Sequence, residues 1–280
     1  LLVFLEKDLM KSLQLKVLSV VASALAVVGV AVAPQATAAE RNLVAFGDSV
    51  LADPDAGSYL AHRYDPSKGV GVDCPTSNNY AKRAGAKLRL PVRDFSCSGA
   101  VSMSRGPQIF QQVDAAIRTG ALSPATNRVV ITTGFNDTYN HRDMSLPQIR
   151  KEFADRTAPQ IERIKRAAPN ARVQIVGYPT IGTGPYYCLF HFGPRPADST
   201  FLPGIQDFEN KAQWMQVDLA ARTGVQFLDM KPSTRNNGMC ADANQRMWAG
   251  LVDFTGGDGN LPIHMNQRGH EHAANVIARS

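Results

Sequence analysis

Short apolar runs rich in β-branched residues alternate along this chain with longer segments whose apolar positions recur at helical spacing. That alternation predicts an α/β fold, a three-layer α/β/α arrangement with a central, mostly parallel five-stranded sheet wrapped by crossover helices. The expected strands are Leu43 to Phe46, Val92 to Ser96, Arg128 to Thr133, Val173 to Gly177 and Val225 to Leu228. Between them the pattern predicts helices from Asn78 to Leu88 with Ser77 as cap, from Pro147 to Ala168, and from Phe208 to Thr223. A last helix is expected from Gln267 to Ala278, capped by Asn266. The segment Gly182 to Pro203, rich in Gly, Pro and aromatics, reads as a long ordered loop.

Residues 1–39 stand apart from this pattern and read as a leader and signal peptide. Lys11 and Lys16 precede a mostly apolar run from Val17 to Ala33, and Ala36-Thr37-Ala38 offers small residues for cleavage. The Met10-Lys11 pair suits the true start of such a peptide. Cleavage near Ala39 would leave one domain over residues 40–280, exported to the cell exterior or envelope, with no later run apolar enough for a stable membrane span.

The formal net charge is +6, of which the leader contributes three lysines against Glu6 and Asp8. The remaining excess is scattered: it suits an anionic envelope or lipid surface, although ordinary solvated basic faces account for it more simply. No basic stripe interleaved with aromatics argues for a nucleic-acid partner. All four cysteines follow the leader, and an even count in an exported chain favours disulfides. Chain order suggests Cys74–Cys97 and Cys188–Cys240, with two other pairings formally open. The chain contains no Cys-x-x-Cys, so neither a zinc ribbon nor a thiol redox site is expected.

Candidate chemistry lies in four separated blocks: Phe46-Gly47-Asp48-Ser49, Cys97-Ser98-Gly99, Gly134-Phe135-Asn136-Asp137 and His264-Met265-Asn266. Each is weak alone, since turns after strands often use these residues. Three of them, however, follow predicted parallel strands by a few residues, and open parallel sheets bind ligands beyond the carboxyl ends of their strands. A serine hydroxyl needs a nearby base and donors for the developing oxyanion, and Ser49, His264, Gly99 and Asn136 supply those types. No Gly-x-Ser-x-Gly offers a rival elbow. His270 and His272 sit on the predicted last helix, the first expected to pack or cap and the second to be solvated. His62, His141 and His191 lack motif support, and no metal site is expected. Asp48 and Asp137 are read as turn-orienting carboxylates.

With these blocks in this order the chain resembles the SGNH hydrolases, or GDSL lipase/esterase family, over nearly all of residues 46–280. The resemblance implies a flavodoxin-like layered fold and a serine esterase or lipase that uses neither metal nor cofactor. It casts Ser49 as nucleophile, His264 as base, and the Ser49 and Gly99 N–H groups with the Asn136 amide as the oxyanion hole. Val50 replaces the usual Leu of the first block. The last block departs further, because Leu261 stands where the family carries an Asp and Met265 where it carries a Pro. In lacking that Asp the chain is similar to some exported actinobacterial members that have a Ser-His dyad, with a nearby backbone carbonyl holding the imidazole. The expectation is therefore a Ser49–His264 dyad whose imidazole is held by the Leu261 carbonyl, with Asp258 and Asp253 as alternative carboxylate partners.

The aromatic stretch Tyr186 to Phe192 reads either as one wall of an acyl pocket or as a buried loop pinned by Cys188, with Trp248 and Phe254 facing it. The expected function is a secreted, monomeric ester hydrolase whose partner is an ester substrate of lipid or envelope origin. An acyltransferase, a carbohydrate deacetylase and a catalytically silent SGNH binding module are the alternatives.

Overall fold

A computed structural model describes residues 40–65, 73–255 and 261–280; the expected leader and Asp258 lie outside the described residues. The five strands of the central sheet are β1 (Leu43–Gly47), β2 (Val92–Asp94), β3 (Arg128–Thr132), β4 (Arg172–Val176) and β5 (Gln226–Leu228). All pair in parallel, in the order β2-β1-β3-β4-β5. This is the flavodoxin-like order, whose switch point lies between β1 and β3. Ser49 follows β1 and Asn136 follows β3, so the topology alone brings these two blocks side by side.

Alternate strand residues feed two apolar layers, as the period of two requires. Leu43, Ala45, Val130 and Val176 point to one face, and Val44, Phe46, Val129, Ile131 and Ile175 to the other. The helices are α1 (Ser49–Ala52), α2 (Ala56–Arg63), α3 (Tyr80–Leu88), α4 (Ile109–Arg118), α5 (Phe135–Asn140), α6 (Leu146–Ala167), α7 (Pro203–Thr223), α8 (Lys231–Thr234) and α9 (Gln267–Arg279). Ala81 and Ala84 of α3 meet Ala273, Ala274 and Ile277 of α9 on the first face; α4, α6 and α7 cover the second. Phe153 of α6 is fully buried there, and its truncation to Ala would cost about 3–5 kcal/mol.

Most boundaries fall within two residues of expectation, and the exceptions have specific physical causes. Ser77 does not cap α3, because its hydroxyl donates to Asp53 Oδ2 at 3.0 Å. Asn79 takes over, its Oδ1 accepting from Ala81 N and Lys82 N. Helix α7 starts five residues early, with Pro203 in its first turn, where the missing N–H costs nothing. The loop from Gly182 to Pro203 contains the short strands Tyr186–Tyr187 and Phe190–His191, which pair with Thr200–Phe201 and Val252–Asp253. Both expected disulfides are formed, Cys74–Cys97 and Cys188–Cys240. Among the described residues no helix is long and apolar enough to cross a membrane.

Candidate active site

Strand β1 delivers Ser49 through a crowded turn. A Cβ on Gly47 would stand 2.6 Å from the Thr132 carbonyl oxygen, so the end of β1 approaches β3 too closely for any side chain. The fully buried Gln112 of α4 grips the same glycine twice: its Oε1 accepts from Gly47 N at 2.8 Å and its Nε2 donates to Gly47 O at 2.9 Å. Asp48 then caps α1, its Oδ1 accepting from Val50 N at 2.9 Å, while Tyr178 donates its hydroxyl to Oδ2. Burial pushes the Asp48 carboxyl up to about 7, against the lowering effect of these two donors. Ser49 thus opens a helical turn, where backbone N–H groups have no intrahelical acceptor.

The serine meets the expected base. His264 Nε2 lies 2.7 Å from Ser49 Oγ, and its Nδ1 lies 2.9 Å from the carbonyl oxygen of Pro262. An Nδ1–H donated to that carbonyl leaves Nε2 free to accept the serine proton. The expected Leu261 carbonyl is therefore corrected to its neighbour. Ile263 adopts φ of +57°, and this left-handed residue turns the chain so that the oxygen two residues before the histidine faces the ring. Two backbone bonds hold the turn, from Ile263 N to Gly250 O at 3.0 Å and from Ala249 N to His264 O at 2.8 Å.

Asp253 is likewise corrected. Its carboxylate is committed to the buried Arg246 guanidinium at 2.8 and 2.9 Å and to the backbone N–H groups of Gly250 and Thr255. Burial holds the His264 imidazole below its ordinary pKa; the Pro262 carbonyl and the Asp53 carboxylate pull it up, and His270 pushes it down. His270 itself is buried, with Nδ1 accepting from Tyr80 N at 3.2 Å and Nε2 2.9 Å from Asp53 Oδ2. His272 lies 2.8 Å from the Ser233 hydroxyl and is half-buried rather than solvated.

Gly99 has φ of +81°, and a Cβ there would meet nothing within 4 Å, so this turn needs glycine for its conformation and leaves the space above it open. The loop after it is tied down by Asp137, whose buried carboxylate accepts from the N–H groups of Ser102, Met103 and Ser104 at 2.9 to 3.1 Å. Asn136 donates from Nδ2 to Ala100 O at 2.9 Å, and its Oδ1 accepts from the Tyr139 hydroxyl at 2.9 Å. One amide N–H of Asn136 remains for a ligand. Tyr178 also accepts from Phe135 N at 3.1 Å, which joins the ends of β1 and β3 through one hydroxyl.

Beside these groups opens a cleft of about 330 Å³, within the range of small-molecule sites. Its walls are mostly apolar, with Leu189, Leu202, Ile205, Met239 and Trp248 among them, and Ser49, Asn136 and His264 also line it. The aromatic stretch is divided in its roles. Tyr187 and Leu189 face the cleft, Cys188 between them is bonded to Cys240, and Tyr186, Phe190 and Phe192 lie at the surface. Phe254 is 78% exposed and does not wall the cleft. Glu209, buried on α7, accepts from Ile181 N, Gly182 N and the Tyr187 hydroxyl and pairs with Lys231, so the wall is anchored from below.

Gln112, Tyr139, Tyr178 and Pro262 complete the site without a motif of their own. Gln112 had a faint signal, a polar residue on the inward face of an otherwise apolar helix stripe, three residues after Ile109. Tyr139 stands three residues after Asn136, on the same helical face.

The model of the GDSL-like Lipase/Acylhydrolase family matches residues 45–272. No curated protein sequence matches the chain. Among solved structures, phospholipase A1 from Streptomyces albidoflavus NA297 is similar at 20% identity and a TM-score of 0.55, over 86% of this chain and 99% of that one. The extracellular lipase of Streptomyces rimosus is 21% identical over 85% and 99% of the two chains, with a TM-score of 0.46. An aryl esterase from M. smegmatis is 15% identical over 85% and 97%, with a TM-score of 0.48.

Proposed function

The chain belongs to the GDSL-like lipase/acylhydrolase family, and we propose that it hydrolyses carboxylic esters bearing an apolar acyl chain through an acyl-serine intermediate on Ser49. The observation that carries this reading is the 2.7 Å contact between Ser49 Oγ and His264 Nε2 beside an apolar cleft. As Ser49 Oγ bonds to the ester carbonyl carbon, its proton passes to His264 Nε2. The carbonyl oxygen becomes an oxyanion, met by the Ser49 and Gly99 N–H groups and the remaining Asn136 amide N–H. Collapse breaks the bond to the alcohol oxygen, which takes the proton from His264. Water then enters, gives His264 a proton and releases the acid, restoring the serine.

The cleft wall argues for substrate class. An acetyl group would leave most of the apolar lining against water, whereas each buried methylene stabilises binding by about 0.8 kcal/mol. A carbohydrate deacetylase is the less favoured reading, because most of this lining is apolar. Two disulfides and the signal-like leader support action outside the cytoplasm. A fluorophosphonate probe should label the wild type and spare Ser49→Ala, and kcat/KM over a p-nitrophenyl ester series should rise from acetate to octanoate. Absence of labelling in the folded protein would instead mark a silent scaffold, and faster release of the acyl group to an added alcohol than to water would mark a transferase.

A further inference from the structure

We propose that Tyr139 is a positioning residue for the reaction: by donating its hydroxyl to Asn136 Oδ1, it fixes and polarises the amide that receives the oxyanion. This rests on the proposed role of Asn136 and adds to it a residue outside the four sequence blocks.

The arrangement is built from three contacts. Asn136 Nδ2 donates to the Ala100 carbonyl at 2.9 Å, and the Tyr139 hydroxyl lies 2.9 Å from Oδ1. Exchanging the amide oxygen and nitrogen would set Oδ1 against the Ala100 oxygen, two acceptors face to face, so the orientation with one N–H directed away from Ala100 is the stable one. The Tyr139 ring is in turn held edge-on against Phe208 of α7, with centroids 6.4 Å apart. Asn136 and Tyr139 are three residues apart on α5, the spacing that places both side chains on one helical face.

Chemistry gives the contact a direction. A donor on the carbonyl oxygen of an amide draws electron density away from its nitrogen and makes the remaining N–H a stronger donor, as in any hydrogen-bonded chain. Burial, helped by the charges of Asp48 and Asp137, pushes the Tyr139 hydroxyl pKa up, so it holds its proton throughout the working range. Tyr139 also lines the cleft, although nearly half exposed. An acyl chain lying in the cleft would cover the ring and lower the dielectric around the bond at the step that uses it.

A double-mutant cycle with p-nitrophenyl butyrate tests this. Tyr139→Phe should lower kcat by about tenfold with KM within about twofold, the size of one neutral hydrogen bond acting mainly in the transition state. In an Asn136→Ala background the same substitution should change kcat by less than about twofold. An alkyl boronic acid, which forms a tetrahedral adduct on the serine, should bind Tyr139→Phe about tenfold more weakly. That measurement needs only the single variant, with folding checked by fluorophosphonate labelling. A rise in KM alone, an equal loss in both backgrounds, or unchanged boronate affinity would make Tyr139 a cleft wall and overturn the proposal. If Asn136→Ala itself leaves kcat unchanged, the oxyanion role of Asn136 fails first, an outcome separate from additive losses at two residues that both matter.

Discussion

His264 leans on a neutral group from its own loop: its Nδ1 lies 2.9 Å from the carbonyl oxygen of Pro262. A carboxylate in that position would pull the imidazole pKa upward by its charge; a carbonyl does so only through a hydrogen bond, and here burial prevails. In the proposed mechanism His264 must be neutral to accept the serine proton. Hence kcat/KM should climb as pH rises through a midpoint below 6.5, read from a pH profile with a short-chain ester. An acid limb centred above 6.5 would reveal a charged partner instead.

Asp253 should matter for stability and little for chemistry. Removing its charge strands the Arg246 guanidinium, which is fully buried, and breaking such a pair typically costs about 3–5 kcal/mol. Urea unfolding of Asp253→Asn should show a loss of this order. The folded fraction should keep kcat within about threefold of wild type, whereas loss of a triad carboxylate costs about 10⁴-fold.

The carboxyl of Asp48 imposes a pH dependence of the opposite sign to the usual acidic residue. Its pKa is 3.8 in an unfolded chain and about 7 when folded, chiefly through burial. The folded state therefore holds the proton more tightly, a contribution fully present below about pH 4 and lost as pH rises to about 7. Between pH 5 and pH 8 the wild type should lose urea stability relative to Asp48→Asn, which carries no charge there. Parallel curves for the two proteins would contradict the assignment.

Ile205, in the first turn of α7, lines the cleft. Ile205→Trp should fill part of the 330 Å³ and shorten the acyl chain that fits. With p-nitrophenyl octanoate kcat/KM should drop at least about tenfold, against a change within about threefold for the acetate, since a pocket discriminates by methylenes only where they must be housed.

The sheet was legible because each buried parallel strand reads as an apolar run, and the ends of β1 and β3 had to converge once their order was known. Asn266 was recognisable as a helix cap, and it does accept from Gly269 N. What escaped depended on backbone torsions and long-range contacts. The left-handed turn at Ile263 runs against the preference of a β-branched residue, so nothing in the residue type announced that Pro262, and not Leu261, would face the histidine. Ser77 offered as good a cap as Asn79 on local grounds, and was diverted by Asp53, a residue 24 positions away. Phe254 had the apolar character of a cleft wall, yet it is mostly exposed and its ring packs against the surface Phe192.

The Cys188–Cys240 bridge joins the two stretches that carry Tyr187 and Leu189 on one side and Met239 on the other, all of them in the cleft wall. In the chain-entropy model a closure of 52 residues is worth about 4 kcal/mol of global stability. Its local effect is of another kind: the gauge of the cleft is riveted by a covalent bond and not only by packing. Under the proposed function, opening this bridge with a reductant is expected to blunt the acyl-chain preference of the cleft, with the Glu209 contacts left to hold the wall.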